Sequence, residues 1–291
     1  MNQLIDLIGN TPLVSVKSPN PKVEIYCKLE GQNPGGSVKD RAAYSMIKGA
    51  LDRGEIKTGD HLVEATSGNT GIALAMIAAA LGLNMHLIMP DTATEERVGA
   101  MRAYGAEVIL TPGVKTIEYS RTLADELHHS KGYYLLNQFA NDDNWLAHYR
   151  STGPEIWRDT KGKISHFVSS MGTTGTIMGV SKYLKEQNRA IQIVGAQPTE
   201  GSKIPGIRRW SPEFLPKIFD ASRVDQVRDV SRNEAENQMK LMAKEDAIFG
   251  GISSGGALFL AKKLAMELEG GLIVCITCDR GDRYLSTGIF S

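Results

Sequence analysis

Residues 61–83 read His-Leu-Val-Glu-Ala-Thr-Ser-Gly-Asn-Thr-Gly-Ile-Ala-Leu-Ala-Met-Ile-Ala-Ala-Ala-Leu-Gly-Leu. The run His61–Ala65 is short and mostly apolar. A turn of hydroxyl, glycine and amide residues follows, and then Thr70–Leu81, rich in alanine and apolar on nearly every face. Five residues with Leu and Val suit a strand. A longer segment without a polar stripe suits a helix that is buried rather than laid on a surface. Strand, short polar turn and buried helix make up one βα step of a parallel sheet, which needs helices on both faces.

The same rhythm extends in both directions. His86–Met89 is a short strand, and Thr92 with Glu95 has the spacing of a capping box that opens a helix to Tyr104, stopped by Gly105. Glu107–Leu110 reads as a strand, Ile117–His129 as a helix and Tyr133–Leu136 as a strand. The second half repeats the pattern with strand Ser165–Ser169, a helix from Gly175 to Gln187 and strand Ile191–Ala196. Helices near Asn233–Lys244 and Gly256–Leu268 and a strand Leu272–Thr277 close the chain. The expected class is α/β with mostly parallel sheets, and 291 residues suit two domains at roughly 150 residues each.

Composition removes several functions. Lys and Arg total 33, as do Asp and Glu, so there is none of the basic surplus that gripping nucleic acid or anionic membrane requires. The opening MNQLIDLIGNTP has no basic region before an apolar run and does not read as a leader. The most apolar stretch, Ile72–Leu83, is far shorter than the roughly 20 residues that cross a bilayer. Cys27, Cys275 and Cys278 are too few, and odd in number, for a disulfide framework, so a reducing cytoplasm is the expected location. Cys275 and Cys278 match C-x-x-C, but residues three apart on a strand face opposite ways and do not chelate a metal together. His128 and His129 are adjacent on one helix and read as solvated; no metal site is expected.

Ligands in such folds collect where loops leave the carboxyl ends of strands. Three loops fit. Met171-Gly172-Thr173-Thr174-Gly175-Thr176 has glycines for close backbone approach, three hydroxyls and a helix start, the makings of a phosphate cup. It lacks the Walker lysine and the G-x-G-x-x-G fingerprint, and the same residues could equally form a capped turn without a ligand. Thr66-Ser67-Gly68-Asn69-Thr70-Gly71 suits a carboxylate or phosphate, though plain helix caps use these residues too. Gly250-Gly251-Ile252-Ser253-Ser254-Gly255-Gly256 opens the last helix. Lys39, in Gly35-Gly36-Ser37-Val38-Lys39-Asp40-Arg41, is either a solvated surface residue or a Schiff-base lysine.

Taken together, these segments resemble the fold-type II pyridoxal-phosphate enzymes (tryptophan synthase β-like), and within them the cysteine synthases, or O-acetylserine sulfhydrylases. The resemblance rests on Ile8-Gly9-Asn10-Thr11-Pro12-Leu13, Gly36–Arg41, Thr66–Gly71, Gly172–Thr176 and Gly251–Gly255, in the family's order. Thr152–Trp157, Ile204–Trp210 and the tail Cys278–Gly288 resemble the family's B-isozyme branch. The resemblance implies two three-layer α/β domains with pyridoxal 5'-phosphate between them. Residues 1–38 plus 144–291 would form the larger, phosphate-binding domain, and 39–143 a smaller, mobile, substrate-binding one.

It also implies roles. Lys39 would hold the cofactor and act as base on the α-proton. Asn69 would bond the cofactor's 3′-oxygen, Gly172, Thr173, Thr174, Gly175 and Thr176 its phosphate, and Ser253 its ring nitrogen. A serine there makes a weaker electron sink, which suits elimination of a good β-leaving group. Thr66, Ser67, Thr70 and Gln138 would hold the substrate carboxylate, while Arg208, Arg209 and Cys278 would meet a larger sulfur donor. The implied reaction is ping-pong: O-acetyl-L-serine loses acetate to leave an α-aminoacrylate, and sulfide or thiosulfate then adds, giving L-cysteine or S-sulfocysteine. A homodimer is implied, and neither a regulatory domain nor a haem-binding extension is expected. Alternatives are O-phosphoserine sulfhydrylase, cystathionine β-synthase-like activity, or a silent scaffold on the same fold.

Overall fold

The computed structural model describes residues 4–290. Met1, Asn2 and Gln3 of the opening read as lacking a leader, and Ser291, lie outside the described residues. In chain order the elements are β1 (Leu13–Val16), β2 (Val23–Leu29), α1 (Lys39–Asp52), β3 (His61–Ala65), α2 (Asn69–Leu81), β4 (Asn84–Pro90) and α3 (Glu95–Ala103). Then come β5 (Glu107–Thr111), α4 (Thr116–Lys131), β6 (Tyr134–Leu135), α5 (Asp142–Ala147), α6 (Gly153–Asp159), β7 (His166–Ser170) and α7 (Gly175–Gln187). The chain closes with β8 (Gln192–Pro198), β9 (Gln226–Val230), α8 (Arg232–Glu245), α9 (Ile252–Glu267) and β10 (Gly271–Thr277).

The chain divides into two compact units. The smaller takes the N-terminal segment through Ile8 and Lys39–Asn144; the larger takes Gly9–Val38 and everything from Trp145 onward. In the smaller unit four parallel strands lie in the order β5-β4-β3-β6. Strand alternation sends Leu62, Leu87 and Met89 to one face, against Met46 of α1, Leu74 of α2 and Met101 of α3. Val63, Ala65 and Ile88 go to the other, against Ala124 of α4. α2 is apolar all round because it is buried all round. Each buried Leu or Ile side chain is worth about 1.5–3 kcal/mol, whereas helix propensities differ by less than about 1 kcal/mol. Burial therefore outweighs the glycine in its first turn.

The larger unit has six strands in the order β1-β2-β10-β7-β8-β9, of which only the β1–β2 pair is antiparallel. One face packs Cys27, Val168 and Ile273 against Met239 of α8 and Leu258 of α9. The opposite face packs Phe167, Ile193 and Val274 against Ile156 of α6 and Ile177 of α7. Each unit is thus three layers, helix on sheet on helix.

Some local expectations are corrected. α3 starts at Glu95 behind Thr94, with no side-chain cap, so Thr92 and Glu95 form no capping box. The Ala93 N–H instead bonds the Pro90 carbonyl, holding Thr92 in a turn off β4. A capping box does form between Ser231 and Glu234. α9 begins at Ile252, not Gly256. Its glycines serve packing, since a Cβ on Gly255 would lie 2.1 Å from the Ala235 carbonyl oxygen of α8. β1, β2 and β9 do not stand out in the sequence: β1 is only four residues, and charged residues interrupt β2 and β9. In β2, Lys28 is fully buried and bonds Glu155 at 2.8 Å and the Thr11 carbonyl at 2.6 Å.

Candidate active site

Both sheets reverse their winding order at one point. In the smaller unit the chain runs from β3 outward through β4 and β5 and returns to the other side of β3 as β6. In the larger it runs from β7 through β8 and β9 and returns beside β7 as β10. Loops on either side of such a reversal diverge and leave a crevice at the carboxyl ends of the strands. The four loops after β3, β6, β7 and β10 carry most of the residues singled out from sequence.

In the smaller unit Thr66 follows β3, its N–H bonding Ile88 of β4, and Ser67 and Gly68 lead into Asn69, the first residue of α2. Thr70 is buried, and its hydroxyl donates to Gln138 Oε1 at 2.9 Å. Gln138, just past β6, donates from Nε2 to Glu64 Oε1 at 3.2 Å, while Glu64 Oε2 accepts the Asn137 N–H at 2.8 Å. Asn144 Nδ2 bonds the Gln138 carbonyl at 2.7 Å. Two loops far apart in sequence are therefore one hydrogen-bonded unit. Burial pushes the Glu64 carboxyl up to about 7, against the opposing pull of bonds from the Gln138 side chain, the Asn137 and Gln138 backbone, and the charge of Arg121. Lys39 is the first residue of α1 and is half-buried.

In the larger unit the Gly172–Thr176 loop joins β7 to α7. Thr174 stands at the N-cap with φ +70, a conformation costly for a β-branched residue. Its hydroxyl is buried and, among the described residues, has no hydrogen-bond partner. A Cβ on Gly172 would come within 2.7 Å of the Gly206 carbonyl, so glycine is required there by close approach. Trp210 Nε1 donates to the Gly172 carbonyl at 2.8 Å and the Arg208 N–H to Met171 at 2.9 Å, which docks the Ile204–Trp210 segment on the cup. Ser253 is buried in the first turn of α9, its carbonyl accepting from Ser170 Oγ at 2.7 Å. Cys278 follows β10, half-buried.

The two arginines diverge. Arg208 lies over the Trp210 ring, whereas Arg209 Nε donates to the Pro198 carbonyl and its guanidinium pairs with Asp229 at 2.5 Å. The structure thus gathers Gly172–Thr176, Ser253 and Arg208 on one unit and Thr66, Asn69, Thr70 and Gln138 on the other, with Arg209 committed to a local ion pair. Sequence reasoning misses Glu64, Trp210 and His148, whose Nε2 lies 3.3 Å from Thr176 Oγ1. Trp210 falls in the Ile204–Trp210 segment singled out from sequence without a role of its own, Glu64 is marked as a lone glutamate inside the apolar run His61–Ala65, and nothing in the sequence marks His148. Among the described residues no cluster of His, Cys, Asp or Glu could hold a metal ion, and no helix is long and apolar enough to cross a membrane.

A cup for an anion, a conspicuous lysine and a second hydroxyl loop match one known family. Residues 4–279 fit the family described as pyridoxal-phosphate dependent enzyme. The chain belongs to that family. Among relatives in this pyridoxal-phosphate dependent family, cysteine synthase B of Pseudomonas aeruginosa is 60% identical over 289 residues, covering 99% of this chain and 97% of its own. Cysteine synthase B of Salmonella typhimurium is 59% identical and covers 100% of this chain and 96% of its own. The solved cysteine synthase of Entamoeba histolytica superposes with a TM-score of 0.94 at 36% identity, covering 100% of this chain and 90% of its own.

The cofactor is pyridoxal phosphate, and the larger unit's cup fits its phosphate group. The buried Thr174 hydroxyl awaits an acceptor, Gly172 leaves the cradle without a side chain, and the start of α7 presents N–H groups and a favourable dipole to an anion.

Proposed function

We propose that this chain is a cysteine synthase of the B type, joining O-acetyl-L-serine and sulfide to give L-cysteine and acetate, with thiosulfate as a second donor giving S-sulfocysteine. The observation that carries this reading is the full-length identity of 59–60% to two cysteine synthase B enzymes. The larger unit is the cofactor-phosphate domain and the smaller the mobile, substrate-binding one.

Pyridoxal phosphate, when bound, supplies the electron sink that lets the α-proton and the β-acetate leave. The rest falls to side chains. Lys39 would hold the cofactor through its amine and would take the α-proton at Nζ. Gly172–Thr176 would hold the phosphate, Asn69 the ring oxygen and Ser253 the ring nitrogen. Because a serine hydroxyl is not a carboxylate, it does not enforce a protonated ring, which favours departure of a good leaving group. Thr66, Ser67, Thr70 and Gln138 bind the substrate carboxylate and so aim the α-proton at Lys39. Acetate would leave the β-carbon with the electron pair of its C–O bond, and as the sulfur nucleophile bonds to that carbon the proton held at Lys39 Nζ would return to the α-carbon. Arg208 and Cys278 favour the extra anionic group of thiosulfate. The same reading makes the chain a cytoplasmic homodimer.

Absorbance of the purified protein tests the assignment. A visible cofactor band that shifts on addition of O-acetylserine and returns with either thiosulfate or sulfide supports it. Return with sulfide alone removes the B-type donor. A protein that stays colourless after supply of pyridoxal phosphate overturns the enzyme reading.

A further inference from the structure

Glu64 has no part in the reaction as described, yet it occupies a costly place. It is the fourth residue of β3, buried beneath the carboxylate loop, and both its oxygens are used by the segment that follows β6. Both Glu64 oxygens accept, Oε1 from Gln138 and Oε2 from the Asn137 N–H, so the Gln138 amide turns its Nε2 toward Glu64. Its Oε1 then faces Thr70, whose hydroxyl donates to it at 2.9 Å. A side-chain amide has no intrinsic preference between its two ends; the partner at one end decides what is offered at the other. With Glu64 in place, Gln138 keeps one N–H for Glu64 and a second for a ligand, while its Oε1 is turned to the Thr70 hydroxyl and takes that proton. Asn137, at φ +51, is held in its left-handed conformation by the other Glu64 oxygen, which fixes where Gln138 begins.

We propose that Glu64 is a positioning residue: by fixing which way the Gln138 amide is turned, it sets the N–H donor offered to the substrate's carboxylate. The inference rests on the reading of Thr66, Ser67, Thr70 and Gln138 as the carboxylate loop, and deepens it. Glu64 touches neither substrate nor cofactor in this scheme. Its influence is confined to ligands that carry a carboxylate.

The test uses the cofactor-loaded full-length protein and compares L-alanine with ethylamine, the same amine without its carboxylate, each titrated by the change in cofactor absorbance. Glu64→Gln replaces an acceptor that fixes the amide with a group that pairs with either end. The expected result is about a tenfold loss of L-alanine affinity and a matching rise in KM for O-acetylserine. Ethylamine affinity and kcat should change less than twofold. The double variant E64Q/Q138M should bind L-alanine no more weakly than Q138M alone, because Glu64 acts through Gln138. Equal losses for both amines, or additive losses in the double variant, overturn the proposal by showing a merely structural role. If Q138M binds L-alanine as the unaltered protein does, the carboxylate-loop reading itself fails; if Q138M is weakened and E64Q is not, only the role of Glu64 fails. Should E64Q not fold, Glu64→Asp, which withdraws the same acceptors by one methylene, must weaken L-alanine selectively, and unchanged selectivity in E64D overturns the proposal.

Discussion

The Val38 N–H donates to the Cys278 carbonyl at 2.8 Å, tying the residue before Lys39 to the carboxyl end of β10. The Cys278 N–H in turn donates to Ser254 Oγ at 2.9 Å, at the head of α9. The peptide of Cys278 is therefore a clamp between the last helix and the segment that carries the lysine. Its side chain takes no part in those two bonds, so a change of Cys278 to serine leaves the clamp intact.

Ser254→Ala removes the acceptor of the part-buried Cys278 N–H. Loss of a partner by a buried donor costs about 1–3 kcal/mol. The expected outcome is a lower melting temperature and a weaker hold on pyridoxal phosphate, read by equilibrium dialysis. Cys278→Ser should show neither. Full cofactor affinity in S254A would show that the clamp does not position the lysine segment.

Thr174 combines a strained backbone with a buried hydroxyl that has no protein partner among the described residues. Thr174→Val keeps shape and strain and removes the hydroxyl. Its affinity for pyridoxal phosphate should fall about tenfold or more, the worth of one hydrogen bond to a charged group. Thr174→Gly relieves a strain of about 1–3 kcal/mol, so the cofactor-free protein should melt higher than its parent while binding the cofactor more weakly. Opposite signs for stability and affinity in one variant separate strain from ligand contact.

The buried Lys28 ammonium lies 2.8 Å from Glu155 and 3.5 Å from Asp159, and Glu155 also accepts the Asn10 N–H at 3.0 Å. Lys28→Met leaves Glu155 buried without that cation. Breaking a buried pair on one side costs about 3–5 kcal/mol, which the urea midpoint will show. A cost below about 1 kcal/mol would mean that water reaches Glu155 once Lys28 is gone.

Glu64 also writes a pH signature on stability. Its carboxyl is raised from 4.5 to about 7 in the folded chain by burial. Between those values the folded protein keeps a proton that the unfolded chain has released, so stability falls as pH rises through this window. The full effect is about 3 kcal/mol, since each tenfold difference in proton affinity between the folded and unfolded chain is worth roughly 1.4 kcal/mol. Melting temperature followed from pH 5 to 8 should decline in the unaltered protein more steeply than in E64Q. Parallel slopes would place the ionised form on better terms with its surroundings than burial allows.

Hydrophobic periodicity is enough to place most strands and helices, because burial of one face leaves its period in the residues themselves. His61–Ala65 and the helix over 175–187 are found where the sequence puts them. The loops after β3 and β7 are legible for the same local reason: chain reversal and N–H groups at a helix start demand those residue types. β2 is not legible, because the buried charge of Lys28 breaks the pattern and is tolerated only by partners distant in sequence, Glu155 and Asp159. The glycines of α9 read as a turn and are instead the flat surface on which α8 packs. Glu64, Gln138 and Thr70 belong to β3, to the segment after β6 and to α2, and nothing local in any of the three names the others. The return of β6 to the side of β3 brings them together. The chain by itself determined which residue types could meet an anion; only the order of strands in the sheet decided which of them share hydrogen bonds, since a bond of about 3 Å between residues some 70 positions apart is made by topology.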